Sequence, residues 1–148
     1  MADQLFLGTG MKFPPQVNKT TGRFLTSSGS QSVKESIYLI LMTQRTERFM
    51  RPEFGSNLLS YTFADMGSGM LTMMASDITD TISSQEPRVT DVNVDMDGES
   101  RPGCLFINIS YTIRDSSVRE NMVFPFYLNA GPEEKSDTYE TMDNDIIQ

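Results

Sequence analysis

The chain has no histidine, no tryptophan and a single cysteine, Cys104. Without histidine the Ser-His-Asp triads and most zinc sites are excluded, and one cysteine rules out an internal disulfide. Long hydrophobic runs are missing too: no stretch approaches the ~20 apolar residues of a membrane-spanning helix. The N-terminal MADQLFLGTGMKFPP lacks a basic region leading into a hydrophobic one, so a soluble, non-secreted protein is expected. Positive charge is scarce, with 12 Lys and Arg against 20 Asp and Glu, a formal net charge of −8. That balance opposes phosphate backbones and anionic lipids, so neither nucleic acid nor a membrane is expected as a partner. Nor is there a phosphate-binding loop, since Gly67-Ser68-Gly69 has no accompanying lysine and no preceding strand.

What is present divides into three parts. Residues 1–31 are rich in Gly, Pro, Thr and Ser, with Phe6, Phe13 and Phe24 spaced among them, and read as an extended arm whose aromatics pack on something. Residues 32–130 read as one α+β domain, of a size that a 148-residue chain can hold with arms attached. Residues 131–148, GPEEKSDTYETMDNDIIQ, carry six acids and one lysine, a local charge of −5 (1 − 6), and read as a solvated acidic tail.

Within the domain, Ser32 with Glu35 three residues on has capping-box spacing, so a helix is expected from Ser32. Val33, Ile37, Ile40 and Leu41 share one face of it, and Tyr38, Leu39 and Met42 extend the apolar surface, which predicts a central helix. Arg45, Arg48 and Arg51, mixed with Glu47 and Glu53, follow where basic groups suit a helix C-terminus. A second helix over about Ser68 to Ser84 carries Met70, Met73, Met74, Ile78 and Ile82 as an adaptable core stripe.

Three strands follow. Val92, Val94 and Met96 alternate with Asp91, Asn93 and Asp95; Leu105, Ile107, Ile109, Tyr111 and Ile113 alternate with polar residues; Met122, Phe124, Phe126 and Leu128 face inward in the third. Pro125 cannot donate to a ladder, which puts that third strand at an edge or leaves it partly paired. The expected fold is therefore α+β: two main helices packed on a small antiparallel meander, with an extended N-terminal arm and an acidic C-terminal tail.

The junction between the second helix and the first strand reads SQEPRV. Pro87 has no amide donor and pushes Glu86 away from helical angles, so the helix should end at about Gln85. In an extended Glu86-Pro87-Arg88 the charged side chains, two residues apart, project to one side as an acid-base fork. Such a fork can meet charges on a partner or on the arginine-rich loop, stand wholly exposed, or bond a helix-end carbonyl through Arg88.

Chemistry is thinly supplied. Glu53 and Glu86 are the conceivable acid and base of a glycosidase, which needs two carboxyls roughly 5 to 9.5 Å apart. Cys104 opens a strand, where a small buried hydrophobe is expected rather than a nucleophile.

Taken in order, LGTGMKFP, TGRF, the helix ESIYLILMTQ, the loop ERFMRPEFGSNL, a second helix and EPRV before a meander resemble the baseplate-wedge, or sheath-initiator, family. That family belongs to contractile phage tails and contractile injection systems, the type VI secretion baseplate included. The resemblance runs from about Leu7 to Leu128; the pair RPEFGS and EPRV with a helix between is its specific part. In one place the chain departs: Thr46 stands before Glu47-Arg48 where the family usually has glycine, a residue that enters φ > 0 more readily.

The resemblance implies a structural, non-enzymatic part with no cofactor and no metal. It implies six copies around the central tube, assembled in the cytoplasm into the baseplate, with wedge, sheath and inner tube or hub proteins as neighbours. Glu86, Pro87 and Arg88 would form the wedge contact, supported by Arg48, Arg51, Glu53 and Phe54. The arm and the last strand, around Phe124, Pro125 and Phe126, would carry the sheath side and seed its polymerisation. Some relatives are labelled lysozymes, which keeps peptidoglycan cleavage by paired carboxylates as the alternative.

Overall fold

The computed structural model describes residues 6–62 and 67–128. Its elements run β1 (Thr9–Met11), β2 (Thr26–Ser28), α1 (Gly29–Met42), a 3₁₀ turn (Leu58–Tyr61), α2 (Ser68–Gln85), β3 (Val89–Asp97), β4 (Cys104–Ile113) and β5 (Arg119–Tyr127). β3, β4 and β5 form an antiparallel sheet in that order, and β1 pairs with β2 separately. The acidic segment 131–148 lies outside the described residues.

The sheet follows the alternation in the sequence. Leu105, Ile107, Ile109, Tyr111 and Ile113 of β4 are all buried, and each fully buried Ile contributes about 1.5–3 kcal/mol relative to exposure. Met74, Ile78 and Ile82 of α2 and Val33, Ile37, Tyr38 and Leu41 of α1 close over this face. Tyr38 links the layers, its ring 5.5 Å from Phe124 of β5 and 5.6 Å from Phe13. The opposite face, with Asn93, Asp95, Asn108 and Ser110, is polar.

Several expectations are corrected. Helix α1 begins at Gly29 with Ser28 as N-cap, so Ser32 lies inside it and the capping box is not made. Glu35 is instead buried and accepts hydrogen bonds from the Ser27 hydroxyl (2.5 Å), the Phe13 amide (3.2 Å) and Gln31 (3.2 Å). It pins the arm to the helix. Leu39 and Met42 are exposed, so only Tyr38 of that second apolar side is buried. Met73 is 63 % exposed: it falls outside the stripe, which Leu71 and Thr81 join instead.

Where described, the arm is a narrow two-stranded hairpin lying along α1. Thr9 pairs with Ser28 and Met11 with Thr26, and the ladder continues through Lys12 N–H to Leu25 O and a Val17–Phe24 bridge. Asn18 folds the tip, its side chain accepting from the amides of Thr20 and Thr21. The peptide bond between Phe13 and Pro14 is cis.

Candidate functional site

Helix α2 ends at Gln85, and Glu86 is extended at φ −116°, as Pro87 requires. Glu86 and Arg88 then project to one side, but they close on each other instead of standing apart. Arg88 Nε lies 2.7 Å from Glu86 Oε1 and Arg88 Nη2 2.7 Å from Oε2, a bidentate pair. Glu86 is 2 % exposed. The remaining donor, Arg88 Nη1, bonds Leu7 O at 3.0 Å and Ser32 Oγ at 3.3 Å. The pair is thus a knot: it ties the N-terminal arm, α1 and the start of β3 together.

Burial pushes the Glu86 carboxyl up, but hydrogen bonds from Arg88 and Ser36 and the Arg88 charge outweigh it and hold the group below its ordinary range. Arg88 is raised by the same pairing. Glu53, on the exposed loop, is lowered by its own backbone amide and by Arg51. Neither glutamate is therefore placed to keep a proton at neutral pH, as the acid of a paired-carboxylate glycosidase must.

Beside the knot sits the loop joining α1 to the 3₁₀ turn. Gln85 Nε2 donates to Gly55 O (2.9 Å) and Glu53 O (3.3 Å), and its Oε1 accepts from the Gly55 amide (2.8 Å). Arg45 does not cap α1; it reaches Gly55 O and the Thr81 hydroxyl. The end of α1 is served by Thr43 on Leu39 O and Ser56 on Leu41 O. Gly55 has φ +107°, and a Cβ there would stand 2.2 Å from Thr43 O, so only glycine fits. Thr46, in the family's glycine position, takes the left-handed φ of 73° all the same.

Above this base, two guanidinium groups lie over the Phe54 ring, Arg48 at 5.2 Å and Arg51 at 5.9 Å from its centroid, with Arg51 also paired to Glu53 at 3.3 Å. Phe49 and Met50 project from the tip at 95 % and 86 % exposure. Sequence reasoning missed this pair, although two large apolar residues between arginines, outside any periodic run, were a legible signal. It also missed Leu7, Ser32 and Gln85 as the links of the site.

The third group of expected residues is separate. Val89, next to Arg88, pairs with Ile113, whereas Phe124 pairs with Ile107, six residues or roughly 20 Å along β4. Phe124 and Phe126 are buried core side chains, so what this stretch offers a partner is backbone. Pro125 is paired in register with Phe106 without a break. Leu128 donates to Gly103 O, and in an antiparallel ladder these bonds recur every second residue. Pro125, three positions back, falls at an outward place, where the missing N–H costs the sheet nothing. β5 is therefore an edge whose outer backbone, among the described residues, pairs with nothing. β3, by contrast, carries a bulge between Thr90 and Asn93, with Asp91 at φ 50°.

Solved structures with the same fold were found. A provisionally assigned tail lysozyme from Geobacter sulfurreducens, solved by crystallography, shares 32 % identity at a TM-score of 0.66, over 74 % of this chain and 99 % of that one. A chain of the anti-feeding prophage baseplate, solved by cryo-electron microscopy with six-fold symmetry, shares 21 % identity at a TM-score of 0.59, over 95 % and 98 %. No match was found among curated proteins. The class is that of small α+β baseplate components of contractile, phage-tail-like particles. The chain belongs to the baseplate wedge protein gp25 family, whose model matches residues 27–118, more than half its length.

Proposed function

We propose that this chain is a non-enzymatic adaptor that joins the baseplate wedge to the contractile sheath and seeds the first ring of sheath subunits. The observation that carries the reading is the open edge of β5. An incoming extended segment gains main-chain hydrogen bonds there while its alternate side chains set register. Outward donors at Arg119, Asn121 and Val123 are followed by the gap at Pro125, so a guest strand pairs with the first half of β5.

The wedge side is the surface beside the Glu86–Arg88 knot, where Pro87 and the accessible part of Arg88 connect through Gln85 to the loop of Arg48, Arg51, Glu53 and Phe54. Glu86 acts there through Arg88, as a positioning residue. The relative described as a tail lysozyme favours peptidoglycan cleavage as a second reading; the Arg-bound state of Glu53 and Glu86 speaks against it.

The test is electron microscopy of particles from cells lacking the gene, complemented with intact protein or with Val123→Pro. That substitution removes one outward donor by the geometry that already accommodates Pro125, leaving the internal ladder whole. Intact protein should restore sheathed particles, and Val123→Pro should give baseplates with bare tubes. Complete sheathed particles without the gene would overturn the seeding role. Cleavage of purified peptidoglycan by the intact chain, lost in Glu53→Gln, would favour the second reading.

A further inference from the structure

The tip of the loop between α1 and the 3₁₀ turn exposes two large apolar side chains side by side, Phe49 at 95 % and Met50 at 86 %. Single exposed hydrophobes are ordinary on a surface. This pair differs because its base is rigid. Thr46 N–H donates to Pro52 O at 2.8 Å, Arg51 N–H to Arg48 O and Phe54 N–H to Arg51 O, so the tip is a sequence of closed turns. Gln85 and Arg45 fasten the loop to α2, and Phe54 stacks under two guanidinium groups.

The loop also holds Thr46 in a left-handed conformation that costs a β-branched residue about 1–3 kcal/mol. A strained, multiply braced loop that presents apolar groups to water gains nothing for its own domain. It is pre-organised for contact, and pre-organised aromatic anchors are where binding energy concentrates.

The charge around the tip indicates the partner. Glu53 is matched by Arg51, and Glu47 accepts from the Gln44 amide at 3.0 Å. Arg48, adjacent to Phe49, has no carboxylate partner among the described residues. Arg45 is tied down at the base of the loop by Gly55 O and the Thr81 hydroxyl, which leaves the Arg48 guanidinium, over the Phe54 ring, as the positive group beside the apolar pair. A guanidinium at the edge of an apolar tip complements a carboxylate at the edge of an apolar pocket.

We propose that Phe49 and Met50 are the anchor by which this protein seats in an apolar, acid-edged pocket of a baseplate protein; this rests on the adaptor reading above. Arg48 supplies orientation and salt-dependent association. The contact belongs to the wedge side, on the loop that Gln85 and Arg45 fasten to α2.

The experiment titrates the purified full chain onto sheathless baseplate–tube complexes from cells lacking the gene, reading co-sedimentation against concentration. Compared are wild type, Phe49→Ser with Met50→Ser, and Arg48→Gln. The double variant should bind at least about 30-fold more weakly while its thermal midpoint is unchanged, since neither side chain packs within the domain. Arg48→Gln should bind about 5-fold more weakly, with a shallower dependence on salt. Wild type that binds beside a double variant that binds equally overturns this inference alone; so does a wild-type self-association that the double variant abolishes with binding unchanged. Wild type that does not bind overturns the adaptor reading and this inference with it.

Discussion

Replacing Glu86 by glutamine removes the carboxylate that answers Arg88 and leaves the guanidinium facing a side chain that also carries donors. Breaking a buried pair from one side costs about 3–5 kcal/mol, because the surviving charge stays desolvated. Arg88 keeps 27 % side-chain exposure and its bonds to Leu7 O and Ser32 Oγ, which lowers the expected cost to about 2–3 kcal/mol. In a chain of this size that is a fall of roughly 5–10 °C in Tm.

The chain has no tryptophan, so urea and thermal unfolding are best followed by circular dichroism at the helix band. The pH dependence has a definite sign. The folded Glu86 pKa is lowered, so the unfolded chain binds more protons, and the stability from the pair is present in full above the ordinary value of 4.5. It is lost as pH falls from there through the folded pKa. Wild type and Glu86→Gln should therefore differ by the full amount at pH 7 and converge in acid. Replacing the pair together, Glu86→Leu with Arg88→Met, should recover much of the loss. A Glu86→Gln cost below about 1 kcal/mol at pH 7, or a difference that grows in acid, would refute the reasoning.

Thr46→Gly should raise stability by about 0.5–1 kcal/mol, the relief of the left-handed backbone less the extra freedom of glycine when unfolded, measured by urea denaturation. Gly55→Ala should lower it by about 2–4 kcal/mol, because a Cβ meets the Thr43 carbonyl at φ +107°; an alanine variant as stable as wild type would contradict the loop geometry. Tyr111 is fully buried, its hydroxyl has no hydrogen-bond partner among the described residues, and burial followed by the Glu120 and Glu86 charges raises its pKa. Tyr111→Phe should thus be neutral or stabilising by up to about 1 kcal/mol in the same assay, and a loss beyond that would show a partner for the hydroxyl.

The meander was legible because its residues obey a simple rule: one apolar face, a period of two, and turn residues between runs. The end of α2 was legible for a similar reason, since Pro87 acts on its neighbours through covalent geometry alone. Where reading failed, the deciding contact was distant. Ser32 and Glu35 have the spacing of a cap, yet tertiary bonds to Arg88, Phe13 and Ser27 claim them, and the helix starts a turn earlier. The acid-base fork was visible as a geometry, but its target was not: Leu7, which completes it, carries no local mark. Phe124 and Phe126 flank the proline that marks an open edge, and being core residues they can serve a partner only through the backbone they position.

The bond from Arg88 to Leu7 spans 81 residues of sequence. During synthesis Glu35 follows the hairpin closely, but the tie from Arg88 to Leu7 must wait while both helices are made. The hairpin is therefore held first by Glu35 and tied at Leu7 only when Arg88 arrives. A nascent or truncated chain that stops short of the junction holds its pair of strands by Glu35 alone, with the Leu7 end untied and more open to pairing with whatever else is near.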